Sequence, residues 1–217
     1  MAVTTSRKQK KWYKIEAPEV LNNAELGESY VASIDQLVGK TLTVNLSSIT
    51  NNMRKQNVEV HFKVVSSSDK KGVTDIRGVT LTGSNLKRLV RKGRDKIEDS
   101  FIVTTQNNKD IRIKPVILTN TNANKSVRKT LRKMAKDFLN EYAKKNPHDT
   151  FFDAIINNRI QKEMKDKLAD IYPLKYVDIR HAMVEDTLET YETEDTEEQE
   201  SIEESEEDVE KAEEAEE

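Results

Sequence analysis

The chemistry this sequence can offer rests on its cations, which fall into three groups. Arg7, Lys8, Lys10, Lys11 and Lys14 surround the aromatics Trp12 and Tyr13, Lys87, Arg88, Arg91, Lys92 and Arg94 follow, and Arg128, Lys129, Arg132 and Lys133 come last. Ammonium and guanidinium groups match phosphate by charge, and arginine adds a planar fork of donors. Trp12 and Tyr13 have two readings: a stacking platform for bases, or a plug at the edge of a core. One basic cluster alone is ordinarily a solvated face. Three in one chain, spread over different segments, suggest a broad surface that reads phosphates, as folded RNA presents, and not a single helix laid in a groove. If six to ten of these side chains meet phosphates, affinity falls on the order of a thousandfold or more between low and physiological salt.

Other chemistries find little support. The histidines are His61, His148 and His181, at no metal-ligand spacing, and the chain has no cysteine to complete a zinc set or supply a thiol nucleophile. His61 reads as a packed or surface strand residue and His148 as a turn residue beside Pro147. The six glycines stand singly, so neither a Walker loop nor a dinucleotide fingerprint is present. Glu98 and Asp99 are adjacent in a strand-like segment and point to opposite faces, which makes them surface charge and not an acid–base pair. No cofactor is expected. A metal-dependent nuclease built on scattered carboxylates such as Asp137 or Asp153 is the distant enzymatic alternative.

Charge is distributed unevenly. Of 217 residues, those from 185 to 217 hold nineteen Asp or Glu against Lys211, and only six are apolar. Such a stretch cannot bury enough apolar surface to offset its chain entropy, so a disordered acidic tail is expected. The remaining body carries 35 Lys or Arg against 20 Asp or Glu, a surplus of about +15 that favours a polyanionic partner. No run approaches the roughly 18 apolar residues that span a bilayer, and the N-terminus lacks an apolar signal core. A cytoplasmic protein with no membrane partner is the expectation.

Positioning the cations requires elements, and their periodicity is readable. Residues 1–35 read as a basic extended arm. Leu42, Val44 and Leu46 alternate with polar residues, as do Val58, Val60, Phe62 and Val64, so each run predicts a half-buried strand. Further strands are expected over 73–81, 97–105, 111–118 and 174–184, with Pro115 placed at an edge or a bend. Ser84 caps a short helix closed by Gly93. Val127, Leu131, Met134, Ala135, Phe138, Leu139 and Tyr142 form one helical stripe, and a second helix runs from Phe152 to Ile171 before Pro173. Cations crowd the N-terminal half of the first, opposing the helix dipole unless an anion binds there. The fold class is α+β: a β-barrel-like core of six to seven strands, a short inter-strand helix and two helices in the C-terminal half, all within residues 36–184. A sandwich would give the same string.

The order of four segments carries a resemblance. Lys10-Lys11-Trp12-Tyr13-Lys14-Ile15-Glu16-Ala17-Pro18, Leu89-Val90-Arg91-Lys92-Gly93, Ile111-Arg112-Ile113-Lys114-Pro115-Val116, and Ile171-Tyr172-Pro173-Leu174 leading to Val177-Asp178-Ile179-Arg180 resemble, in register, the ribosomal protein S-three-A-e family, called e-S-one in newer naming. Lys40 stands where many members carry arginine, and the acidic tail is an addition. The resemblance implies a β-barrel with helices packed on it, on the platform of the small subunit near the messenger-RNA exit. It implies small-subunit rRNA and neighbouring ribosomal proteins as partners, messenger RNA passing close by, and no enzymatic activity. The matched basic positions are Lys10, Lys11, Lys14, Arg91, Lys92, Arg112, Lys114 and Arg180, with Trp12 and Tyr13 as stacking or packing groups. The competing reading is a free RNA-binding adaptor or chaperone whose acidic tail shields the basic body.

Overall fold

The computed structural model describes residues 9–68 and 71–185; Arg7, Lys8 and the acidic stretch from 186 onward lie outside the described residues. Strand structure begins where an extended arm was expected. Strands β1 (Lys11–Glu16) and β2 (Glu25–Val31) form an antiparallel pair with Trp12 opposite Tyr30. Tyr13, Ile15 and Ala17 alternate with Trp12, Lys14 and Glu16, and Ile15 and Ala17 are buried. That is a period-two pattern, concealed in the sequence by its lysines. Residues 11–31 therefore belong to the folded body and not to an arm. Ile15, Val31, Leu37 and Val64 make a small core of their own, on which Tyr13 packs.

Strand β3 (Thr41–Asn45) ends one residue before the alternation does, because Asn45 accepts a hydrogen bond from the Ser47 N–H at 2.9 Å and caps the short helix α1 (Leu46–Thr50). The long hairpin of β4 (Val58–Ser68) and β5 (Lys71–Leu81) follows, with Val60, Phe62 and Val64 buried. Helix α2 (Gly83–Leu89) starts earlier than expected, so Ser84 lies in its first turn and does not cap it. The single strand expected over 97–105 is two, β6 (Lys96–Glu98) and β7 (Phe101–Thr104), both paired to β8 (Asp110–Thr119). Asn108, at φ 52°, makes the turn into β8.

After β8 the chain forms α3 (Lys125–Lys145), α4 (His148–Ile156) and α5 (Arg159–Ala169), then returns as β9 (Leu174–Val184). The one helix expected from Phe152 to Ile171 is two, broken at Asn157-Asn158, where Asn158 takes the left-handed conformation at φ 56°. An apolar stripe continues across such a break, so periodicity could not report it.

The strands form one sheet in the order β2-β1-β5-β9-β8-β6, with β3 outside β4, β4 along β5, and β7 beside β6 on β8. Its class is α+β, as the sequence indicated, but with nine strands among the described residues and without closure into a barrel. Alternation reports which face of a strand is buried and says nothing of whether the outer strands meet. Here α3, α4 and α5 cover the apolar face, so Phe151, Phe152, Ile160 and Met164 pack with Phe62, Ile113 and Ile117 and burial does not require closure.

Two backbone details fix β8 and β9. Pro115 lies in an interior strand, but the register on β9 shifts between Lys114 and Pro115, and β6 and β7 pair only from Val116 and up to Ile113. The missing N–H thus falls where the ladder is already interrupted, so the proline marks a bend and not an edge. Gly78 faces β9, where a Cβ would lie 2.7 Å from the Ala182 carbonyl oxygen. Only glycine lets the two backbones approach this closely.

Candidate nucleic-acid interface

Asp95 organises the basic cleft. Its N–H donates to Thr119 Oγ1 at 2.9 Å, its carbonyl accepts from the Thr119 N–H at 3.1 Å, and its Oδ2 accepts from the Ala123 N–H at 2.7 Å. These bonds tie the start of β6 to the end of β8 and to the approach to α3. Lys96 is thereby set against the first turns of α3, and Lys96, Lys125, Arg128, Lys129 and Arg132 line one cleft of about 520 Å³. Arg128 lies 3.9 Å from Asp95; among the described residues no carboxylate pairs with Lys125, Lys129 or Arg132.

Helix α3 makes this end more anion-seeking still. Its N-cap residue, Asn124, makes no side-chain cap bond, and its first turn has no acidic residue. Orphan N–H groups, the positive end of the dipole and the lysines therefore face the same way, an arrangement stabilised by a bound phosphate. A second recess continues the surface through Lys96 to Lys87 and Arg180, with Glu98 between them at 2.8 Å from Lys96 and 3.6 Å from Arg180.

The structure brings only part of the expected set together. Arg128, Lys129, Arg132, Lys87 and Arg180 line these two recesses, joined by Lys96 and Lys125. The sequence reading missed Lys96 and Lys125: the first sits in a three-residue strand too short to show a period, the second at the start of α3, ahead of the apolar stripe that begins at Val127. Lys133 is exposed on α3, Arg91 and Lys92 are exposed beyond α2, and Arg94 is half-buried. Arg88 turns to Asn57 Oδ1 at 3.3 Å. On β8, Arg112 is paired with Glu185 and Lys114 is half-buried.

The N-terminal basic group lies elsewhere in the sheet. Lys14 pairs with Glu25 at 3.1 Å, and that carboxylate holds its ammonium above the ordinary lysine range. Lys11 is exposed, and the Lys10 ammonium lies 5.9 Å from the centre of the Tyr30 ring. Trp12 is 65% exposed and tilts against Tyr30 with ring centres 5.0 Å apart, which decides against its being a core plug, whereas the half-buried Tyr13 is a packing group.

Comparison with known proteins matches the description "Ribosomal S3Ae family" over residues 2–187. The chain belongs to this family. It is 33% identical over 184 residues to small ribosomal subunit protein eS1 of Halorubrum lacusprofundi, covering 85% of this chain and 86% of the relative. Against the protein of the same name from Nanoarchaeum equitans identity is 30%, covering 82% and 90%, and against that of Saccharolobus islandicus it is 28%, covering 82% and 85%. S3Ae membership makes the chain a structural, non-enzymatic ribosomal protein, located with the ribosome in the cytoplasm.

The histidines serve structural ends consistent with S3Ae membership. His61 bridges Thr43 Oγ1 at 2.8 Å and Thr80 Oγ1 at 3.0 Å, and Thr80 reaches His181 Nδ1 at 3.2 Å, a polar ladder across β3, β4, β5 and β9. Burial, then the charges of Lys114, His61, Arg180 and Arg112, hold the His181 imidazole below its ordinary range. His148 is not a turn residue: it is the buried first residue of α4, with Nδ1 3.0 Å from Asp149 and its ring edge-on to Phe152. Asp75, His148 and Asp149 do converge within 4.8 Å, a juxtaposition invisible along the chain. Lys109, 3.5 Å from Asp75, already supplies positive charge there.

No described helix is long and apolar enough to cross a membrane.

Proposed function

We propose that this chain is a structural constituent of the small ribosomal subunit that binds small-subunit rRNA through the cleft between β6 and the first turns of α3. The observation that carries the reading is the set of five cations in that cleft, three of them without an acidic partner among the described residues, at an uncapped helix N-terminus. Relatives named as small ribosomal subunit proteins support the assembly. Within it, the platform near the messenger-RNA exit is the position that family resemblance suggests, with neighbouring ribosomal proteins against the helices and messenger RNA passing nearby.

Sedimentation of a native lysate through a sucrose gradient with a high-salt wash tests this reading. Stoichiometric, salt-resistant residence in small subunits is expected. Residence at the top of the gradient would overturn it in favour of a free RNA-binding adaptor, a role that the opposed charges of body and tail also suit. In that case, removing residues 185–217 would raise non-specific RNA affinity at low salt.

A further inference from the structure

Strands β1 and β2 make a two-stranded ribbon at the margin of the sheet, and its two faces differ. One face packs: Tyr13, Ile15 and Val31 lie against Leu37 and Val64. Side chains alternate along a strand, so the opposite row meets water and polar residues are expected in it. That row nonetheless carries Trp12 and, directly across from it, Tyr30. Both are more than half exposed, and they are the only aromatic side chains so exposed among the described residues. Their ring centres are 5.0 Å apart with the planes tilted by 39°, so the rings meet obliquely and keep open faces toward solvent. A cross-strand aromatic pair steadies a hairpin, but that role gains from burial and does not explain two large rings left in water.

Charge is graded along the same ribbon. On one side of the pair, Lys14 meets Glu25 at 3.1 Å and stands in register with Glu28, and Glu16 meets Lys71 at 2.6 Å, so that end is already neutralised. On the other side Lys10 and Lys11 are exposed without a carboxylate partner among the described residues, and the Lys10 ammonium lies 5.9 Å from the centre of the Tyr30 ring. An occupant that suits the whole patch offers a flat π face to the rings and negative charge toward Lys10 and Lys11. A free phosphate gains nothing from the rings, and an apolar side chain brings no charge to the lysines. A nucleotide brings both, with its base on the rings and its phosphate one step along the ribbon. Bases within a duplex already stack on their neighbours, so the nucleotide is an unpaired one.

We infer that the Trp12–Tyr30 pair is a stacking platform for one unpaired base of RNA, with the adjoining phosphate directed toward Lys10 and Lys11. Lys14, already paired, takes no part. This rests on the RNA-binding reading above and adds a contact made by ring faces, separate from the phosphate contacts of the cleft.

Trp12 is the one tryptophan of the chain, so its emission reports this site alone. The test titrates the full-length chain with a short single-stranded oligoadenylate, an abasic strand of the same length and a fully paired RNA duplex. Saturable quenching by oligoadenylate is expected, with the abasic strand and the duplex leaving the emission near its starting value. By anisotropy of a labelled oligoadenylate, Trp12→Ala is expected to raise the Kd about tenfold and Tyr30→Ala about threefold, whereas Trp12→Phe, which keeps a ring, stays within about threefold of the parent. Circular dichroism checks that the variants are folded; should one not be, quenching of the parent still decides. Equal quenching by the abasic strand, or a folded Trp12→Ala that binds like the parent, would overturn the inference. No quenching by any probe would overturn it too, and leave the pair to a neighbouring protein. Affinity for a structured small-subunit rRNA transcript, measured alongside, separates the two readings. Salt-dependent transcript binding without oligoadenylate quenching sinks the platform alone, whereas quenching without transcript binding sinks the rRNA reading alone.

Discussion

The β1–β2 hairpin and the α3–β6 cleft are both rich in lysine, and they hold it in opposite electrostatic company. In and beside the hairpin, Lys14 meets Glu25 at 3.1 Å and Lys71 meets Glu16 at 2.6 Å. In the cleft, Asp95 spends its Oδ2 on the Ala123 N–H and stands 3.9 Å from Arg128, while Lys125, Lys129 and Arg132 have no acidic partner among the described residues. A cation already beside a carboxylate gains less from a phosphate than one that is not, since binding releases no repulsion and must compete with the existing pair. Sequence clusters count cations; only the fold tells which are already neutralised.

The sharpest way to break this comparison is to empty the cleft. Replacing Lys125, Arg128, Lys129 and Arg132 together by serine is expected to lower the slope of log affinity for a small-subunit rRNA transcript against log salt by about three to four, with circular dichroism unchanged. A slope reduced by less than about one would remove the cleft from the interface. Next in size is the backbone contact that sets β9, and with it Arg180, against β5. Gly78→Ala places a methyl 2.7 Å from the Ala182 carbonyl and is expected to cost about 1–3 kcal/mol in urea unfolding.

The third prediction concerns the polar ladder on β5 and β9. Burial and neighbouring cations depress the His181 pKa, so the folded state resists the proton that the unfolded state accepts. Stability is then fully present above pH 6.5 and declines as pH falls through 6.5 toward the depressed value. His181→Gln is expected to flatten that decline, measured as urea midpoints from pH 7.5 to 5, and an unchanged pH profile would contradict the assignment. The smallest effect is expected in the hairpin: Lys14→Ser should shift the salt slope by less than about half, because Glu25 already holds that charge.

Much of the scaffold was legible. Val60, Phe62 and Val64 alternate on β4, and Leu131, Ala135, Phe138 and Leu139 repeat at helical spacing on α3, so the buried faces could be read directly. The α+β class and the S3Ae family followed from the sequence as well. What stayed hidden depends on contacts between distant segments. Open or closed depends on whether the edge strands meet, Trp12 differs from Tyr13 only by the face it takes in β1, and the Asn157-Asn158 break leaves the apolar stripe intact. The cleft was half legible: the α3 cations stood out, but Lys96 joins them only because Asp95 bonds to both Thr119 and Ala123. Gln161, one polar residue in a helix of alternating charge, gave no sign that its amide would be buried.

Lysine footprinting of intact small subunits with an acetylating reagent tests the central claim most directly, by mass spectrometry of the same chain free and assembled. Lys96, Lys125 and Lys129 are expected to lose reactivity on assembly while Lys14 changes little. Equal reactivity of the cleft lysines in the free and assembled states, or protection confined to the β1–β2 hairpin, would contradict it.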